Sequence, residues 1–174
     1  MKETVETPKP VHFFYHNLSH FHGNGEVVWV GENGHAVVQI ASKEKAAAGP
    51  TGSVAPATVE RRYELSIADE PVLSSLKQLS ATEASDLKII DRLGNPDEVR
   101  VRFGFRDQTG KFHSLDLWEA DWNKQPEAVQ KFRQAFAQII ELAKRQKPSL
   151  EQTDPESFEF WPSHFAPLEP APAD

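Results

Sequence analysis

The 174-residue chain contains no cysteine, and this absence excludes several kinds of chemistry. Disulfide bonds, zinc sites built from thiolates and cysteine nucleophiles all require that residue. The chain also has no apolar run that approaches the roughly 20 residues of a membrane-spanning helix. Residues 1–10 are polar and lack the apolar core of a signal peptide. We therefore expect a soluble protein without a membrane partner, with the cytoplasm as its default location.

An excess of positive charge is also missing. The chain has 19 Lys and Arg residues against 26 Asp and Glu residues, which gives a formal net charge of -7. Nucleic-acid binding generally uses a net basic face, so this balance argues against a nucleic-acid partner. The sequence contains no nucleophile elbow, phosphate-binding loop or dinucleotide fingerprint. We therefore assign no catalytic residues and expect a protein that is not an enzyme.

Among the patterns that are present, residues 99–118 give the clearest one, a β-hairpin. Apolar residues alternate with arginines before the turn Asp107-Gln108-Thr109-Gly110, and this period of two is typical of a half-buried strand. A three-residue loop that ends at Gly110 fixes the register. One face then pairs Val101 with Leu117, Phe103 with Leu115 and Phe105 with His113, and the other pairs Arg100 with Trp118, Arg102 with Asp116 and Arg106 with Phe112.

A second hairpin is predicted around Asn33-Gly34, the dipeptide most typical of a two-residue hairpin turn. Pairing Glu32 with His35 across that turn sets the register of the flanking strands. The predicted core face then holds Val27, Trp29, Val38 and Ile40, and the predicted second face holds Val28, Val30 and Val37.

Further elements follow from periodicity along the chain. A strand begins at residue 11, with Val11, Phe13 and Tyr15 on one face, and further strands are predicted over residues 58–67 and 87–93. Residues 42–57 are rich in Gly, Pro, Ser and Ala and read as a long surface loop. A short helix is predicted over residues 70–80. A longer helix ends near Arg145, with an apolar stripe made of Val129, Phe132, Phe136, Ile139, Ile140 and Ala143.

These elements predict one α+β domain over residues 11–147, between a flexible N-terminus (1–10) and a Pro-rich aromatic C-terminal tail (148–174). Its fold is a mostly antiparallel sheet of about seven strands, with one short helix and a long C-terminal amphipathic helix packed on it. The order of elements is similar to that of pleckstrin-homology-like domains. That resemblance implies, as an alternative, a barrel-like bent sheet whose final helix closes one end.

A basic row on the predicted hairpin is the main candidate binding surface. Arg100, Arg102 and Arg106 lie on its exposed face together with Trp118, and the tail adds Trp161. Such a row fits either a solvated sheet face with its paired acids or a docking surface for an acidic peptide or a phosphoryl group. We predict a non-enzymatic interaction domain that binds a protein or peptide and needs no cofactor.

The alternative function is metal binding or metal-dependent catalysis by a histidine-rich first strand. Residues 12–22 contain the pattern H-x3-H-x3-H-x-H. On a strand, His20 and His22 share a face and could chelate zinc or another divalent metal. A third ligand would come from elsewhere in the fold, with His113, His35 and Glu26 as the candidates.

Four aromatic residues in the tail indicate a further buried surface. Phe158, Phe160, Trp161 and Phe165 lie within nine residues of one another, and each large aromatic side chain can bury about 150–250 Å². We expect them to cover the second face of the hairpin around Asn33-Gly34. The alternative is that the tail is a linear motif for a separate partner.

Overall fold

The computed structural model describes residues 11–19, 24–45, 56–82 and 98–153. Its strands form one antiparallel sheet in the order β6-β5-β1-β2-β3-β4-β7. The elements in chain order are β1 (Val11–Ser19), β2 (Asn24–Gly31), β3 (His35–Lys45), β4 (Pro56–Ser66), α1 (Pro71–Thr82), β5 (Arg100–Arg106), β6 (Phe112–Trp118), a 3-10 helix (Glu119–Lys124), α2 (Glu127–Lys144) and β7 (Leu150–Thr153).

The α+β class and the seven-stranded antiparallel sheet are confirmed, and the 18 residues of α2 match the predicted long helix. The described strands do not close into a barrel, because β6 and β7 form the two edges of the sheet. The barrel implied by the resemblance to pleckstrin-homology-like domains is therefore not formed by these strands. None of the described helices is long and apolar enough to cross a lipid bilayer.

The hairpin β5–β6 has the register that the sequence predicts at all six pairs. Its loop closes as expected for three residues. The Gly110 amide donates to the Asp107 carbonyl at 3.0 Å, and the Asp107 amide donates to the Lys111 carbonyl at 2.9 Å. Gly110 has φ 83°, the left-handed conformation that this loop type requires of its last residue.

The hairpin β2–β3 corrects the prediction by one residue. Val28 lies opposite Val38 and Trp29 opposite Val37, so Trp29 and Val38 face opposite sides of the sheet. The cause is a three-residue loop in place of the expected two-residue turn: the Gly34 amide donates to the Gly31 carbonyl at 3.0 Å. Because side chains alternate along a strand, this single extra loop residue exchanges the predicted faces of β2 alone: Val28 and Val30 join the main core and Val27 and Trp29 leave it. The β3 residues Val37, Val38 and Ile40 keep the faces predicted for them.

A β-bulge corrects the predicted face of the first strand. Val11 lies opposite Gly31 and Phe13 opposite Val30, so His12 is an extra residue on β1. The bulge turns Val11 to the face of Phe14, away from Phe13 and Tyr15. The expectation that Val11, Phe13 and Tyr15 share one face is therefore wrong for Val11.

Both helices pack on one face of the sheet, which we call the helix face. Its main core includes the predicted apolar stripe of α2 and the apolar residues of β5–β6. Phe132 stacks on Phe105 with ring centroids 5.1 Å apart, and Phe136 stacks on Tyr15 at 5.2 Å. The 3-10 helix adds Trp122, which the sequence analysis treats only as part of the entry to the helix.

Two further segments differ from the predicted elements or lie outside the description. Residues 42–45 and 56–57, expected in a loop, extend the β3–β4 ladder as far as the pair Lys45 and Pro56. Strand β7 lies within the predicted tail and pairs with β4. The predicted strand at 87–93 and the segments 1–10 and 154–174 lie outside the described residues, so the division into domain and termini stays a prediction.

The helix face gives a direct stability prediction. Phe136→Ala should lower the free energy of unfolding by about 3–5 kcal/mol, because it removes a fully buried ring from the contact with Tyr15. Urea unfolding measures the loss. Gln138→Ala, an exposed change on the same helix, is the control and should stay within about 0.5 kcal/mol of the wild type. A loss below about 1 kcal/mol for Phe136→Ala would show that α2 does not cap the sheet.

The two hairpin glycines form a matched pair for a second prediction. Each has φ near +82°, so alanine at either position should cost about 1–2 kcal/mol in backbone strain. At Gly110 an added Cβ meets open space, whereas at Gly34 it would lie 2.8 Å from the backbone of Ala68. Gly34→Ala should therefore lower the unfolding free energy clearly more than Gly110→Ala in the same urea titration. Equal losses would contradict the close packing of the β2–β3 loop on the segment before α1.

Candidate functional site

A groove opens at the end of the helix face that α2 does not cover, and we call it the sheet-end groove. Its volume is about 750 Å³. The end of α2 and the start of the 3-10 helix form part of its rim. The lining residues are Asn17, Asn24, Gly25, Glu26, Ile40, Ala41, Ser42, Lys43, Arg61, Tyr63, Val99, Glu119 and Lys144.

The floor of the groove follows from the register of four strands. Asn17 on β1 lies opposite Glu26 on β2, Glu26 lies opposite Ile40 on β3, and Ile40 lies opposite Arg61 on β4. These four residues form one cross-strand row on the helix face, because facing residues of neighbouring strands point to the same side of the sheet. The next row on the same face lies two residues further along each strand and runs from Tyr15 on β1 to Tyr63 on β4. All residues of that row are buried. The helix face therefore changes from the buried core to the mostly polar floor of the groove between two adjacent cross-strand rows.

Two carboxylates hold Arg61 in a fixed orientation at one side of the groove. Its Nη1 and Nη2 donate to the two oxygens of Glu44 at 2.5 and 3.2 Å, and its Nε donates to Glu151 Oε2 at 2.7 Å. The hydrogen bonds to Glu44 and Glu151 raise the pKa of the Arg61 guanidinium, and Arg61 lowers the pKa of Glu44. Strand β7 supplies Glu151, so the short strand also shapes the groove.

The opposite side of the groove is built from α2 and the 3-10 helix. Lys144 Nζ, in the last residue of α2, lies 3.2 Å from Glu141 and 3.9 Å from Glu26. Glu119 accepts from Arg133 at 3.0 Å. These ion pairs distribute both signs of charge around the opening. The groove therefore offers fixed donors and acceptors around an aliphatic floor residue.

A tyrosine lies next to the floor. Burial raises the pKa of the Tyr15 hydroxyl, which also hydrogen-bonds the Asn17 side chain. The phenol is therefore neutral at physiological pH. Tyr15 itself is buried and does not line the groove, whereas the paired charges of Arg61 and Glu119 line it and suit recognition of a ligand by hydrogen bonds.

The arginines predicted as a binding surface lie on the other face of the sheet, which we call the outer face. Arg100 stacks over Trp118 at 5.1 Å from the ring centroid, and Arg106 lies 5.6 Å from the centroid of Phe112. Arg100 Nε donates to Asp116 Oδ1 at 2.7 Å, although Arg102 is the residue directly opposite Asp116 in the strand pair. An arginine side chain is long enough to reach this diagonal neighbour across the strand pair.

The outer face also contains a buried polar pair that the sequence analysis did not single out. Gln39 and Glu60 are 1% and 3% exposed and hydrogen-bond each other, and Arg62 lies 3.8 Å from Glu60. A glutamate in an alternating strand gives no local sign of burial. Only the packing on this face identifies it.

The predicted metal ligands are not brought together among the described residues. His113 stacks on Phe105, and its Nε2 lies 2.7 Å from Asp107 Oδ2 in the hairpin loop. His20 and His22 lie outside the described residues, as does Trp161. In the described part of the chain, no group of three or more His, Asp or Glu residues is placed to hold a metal ion. Metal binding by the first strand stays a prediction.

Comparison of the chain with protein-family models, with curated protein sequences and with solved structures found no match.

The loop around Asp107 gives a pH prediction. Hydrogen bonds from Thr109 and His113, and then from the backbone amides of Thr109 and Lys111, hold the pKa of the Asp107 carboxyl well below its usual range. A carboxyl whose pKa is lower in the folded state than in the unfolded state stabilises the fold at any pH above its unfolded pKa, which is about 3.9 for Asp. This stabilisation is lost as the pH falls from there towards the folded-state pKa.

Asp107→Asn should therefore melt at a lower temperature than the wild type at neutral pH, and the difference should shrink below about pH 4. Circular dichroism melts over an acid pH series measure this difference. Asp116→Asn, on the same hairpin in an exposed ion pair, is the control and should change the neutral-pH melting temperature less. A difference for Asp107→Asn that is constant with pH would contradict the proposed linkage.

Proposed function

We propose that this protein is a non-enzymatic interaction domain that binds an extended peptide segment of a partner protein in the sheet-end groove. The observation that carries the proposal is the cross-strand row Asn17–Glu26–Ile40–Arg61 at the floor of the groove. It presents an amide, a carboxylate, an aliphatic side chain and a guanidinium side by side. An extended peptide offers backbone N–H and C=O groups and side chains that can pair with these groups.

The size and charge of the groove support a short peptide. Its volume of about 750 Å³ lies within the range of about 300–1,000 Å³ that is typical of ligand pockets. Three cationic side chains, Lys43, Arg61 and Lys144, and two anionic ones, Glu26 and Glu119, line it. The preferred segment should therefore carry at least one acidic residue, placed near the end of α2. The cytoplasmic location and the exclusion of nucleic acid stay expectations from composition.

The position of Lys144 makes the proposal testable with a matched pair of variants. A library of linear dodecapeptides displayed on phage is selected against the full chain, and fluorescence anisotropy measures the affinity of the selected peptides. Lys144→Glu should weaken binding about tenfold, which corresponds to about 1.4 kcal/mol. Lys131→Glu makes the same change on the same helix, outside the groove, and should leave the affinity unchanged.

Amide chemical shifts of the full chain locate the bound peptide. The account predicts the largest changes at Asn17, Glu26 and Arg61. Failure to select any binding peptide, equal effects of the two lysine variants, or shift changes confined to the outer face would each contradict the proposed site.

A further inference from the structure

The centre of the outer face is buried although none of the described helices lies on it. Both helices contribute their buried residues to the core of the helix face, and no helix residue belongs to the cluster on the outer face. In that cluster Trp29 and Val37 are 0% exposed, Val27 is 1% exposed and Phe14 is 6% exposed. A solvent-facing sheet would leave such side chains accessible. None of the described helices packs over these side chains, so the described elements do not account for their burial.

The surroundings of this apolar cluster define what can cover it. The register places Arg102, His16, Val27, Gln39 and Arg62 in one cross-strand row on the outer face. Phe14, His16, Trp29, Gln39, Arg62 and Arg102 all have interaction partners. A complementary surface would therefore combine large apolar side chains for the central cluster with carboxylates for the arginines on both sides of it.

We propose that residues 154–174 of the same chain dock on the outer face and form this cover. The segment contains four large aromatic residues, Phe158, Phe160, Trp161 and Phe165. It also has five acidic residues and no lysine or arginine: Asp154, Glu156, Glu159, Glu169 and Asp174. Both chemistries that the face requires therefore lie in one short stretch.

The connection to the sheet makes this docking sterically simple. Thr153, the residue before the segment, ends β7 and pairs with Val59 at the edge of the same sheet. At roughly 3.3 Å per extended residue, 21 residues can span about 70 Å, whereas seven strands spaced at about 4.8 Å are only about 30 Å wide. The segment can therefore cross the whole outer face with residues to spare.

The other stretches outside the described residues fit the face less well. Residues 1–10 and 46–55 contain no aromatic residue, and residues 20–23 contain a single phenylalanine, Phe21, but no acidic residue. Residues 83–97 have aliphatic side chains but no aromatic one, and their four acidic residues are accompanied by two basic ones. The C-terminal segment alone among these joins aromatic area to uncompensated negative charge.

A functional consequence concerns the basic row predicted as a docking surface for an acidic peptide. On this proposal, the C-terminal segment of the chain itself is that acidic peptide. A partner could use Arg102 fully only by displacing the segment, whereas Arg100 is 60% exposed and stays accessible. The sheet-end groove lies on the opposite face and is independent of it, so either proposal can fail alone.

Two buried tryptophans allow a direct test in the folded protein. Trp29 lies on the outer face and Trp122 in the core of the helix face, and they are 0% and 2% exposed. A protease site inserted between Thr153 and Asp154 lets the segment be cut off after folding and removed by size exclusion. Hydroxyl-radical oxidation of each tryptophan is then measured by mass spectrometry. Trp29 oxidation should rise several-fold while Trp122 stays protected, and a synthetic peptide of residues 154–174 should restore the protection.

Charge variants test the electrostatic part of the docking. Arg102→Glu in the cut protein should weaken binding of the synthetic peptide about tenfold, whereas Lys131→Glu should leave it unchanged. Equal affinities for the two variants would overturn the role of the arginines.

The proposal is overturned if Trp29 stays protected after the segment is removed, because another segment would then cover the face. It is also overturned if Trp29 in the intact protein becomes reactive on dilution, because a second copy would then be the cover. If cutting exposes both tryptophans, the cut protein has unfolded and a second variant is needed. In that variant the chain stays uncut, and its four tail aromatics are changed to serine: Phe158, Phe160, Trp161 and Phe165. Selective exposure of Trp29 in that variant supports cis docking, and continued protection of Trp29 refutes it.

Discussion

Strand β1 is the connection on which the sheet depends. It pairs with β2 on one side and with β5 on the other, and no other described ladder joins the β2–β3–β4–β7 part to the β5–β6 hairpin. Phe13 pairs with Val30 and with Phe105, so the second contact closes a loop of about 90 residues. The helix face then secures this strand, since Tyr15 stacks on Phe136 of α2. A long-range pairing of this kind is costly in chain entropy and needs a large buried area to hold it.

Strand β1 also contributes residues to the core of the helix face, to the apolar cluster on the outer face and to the sheet-end groove. Tyr15 lies in the helix-face core, Phe14 points into the cluster on the outer face, and Asn17 begins the floor of the sheet-end groove. Because side chains alternate along a strand, neighbouring residues of β1 point to opposite faces of the sheet. The bulge at His12 shifts the register of β1 against β2 by one residue. Lys144, the last residue of α2, lines the groove, so the helix ends at its rim.

The sequence predicts an element correctly where turn residues, apolar alternation and charged pairs all indicate the same register. It fails where these patterns leave the register open or disagree. At residues 99–118 the turn chemistry, the apolar alternation and the charged pairs all specify one register, and that register is observed. At Asn33-Gly34 the valines on both faces give no preference, so the turn motif decided the prediction and was wrong by one residue. Strand β7 is polar and short, so it carries no apolar alternation, and its contact with β4 includes the ion pair of Glu151 with Arg61. The groove draws its residues from distant parts of the chain, so no local pattern could have predicted it.

Amide hydrogen exchange in native conditions tests the central position of β1 most directly. If β1 holds the two parts of the sheet together, the amides of Phe14, Tyr15 and His16 can exchange only when the whole domain unfolds. Their exchange free energies should then equal the global unfolding free energy from denaturant titration, whereas amides of β7 at the sheet edge should exchange with smaller values. Exchange of the β1 amides at free energies well below the global value, with β2 and β3 still protected, would contradict this account.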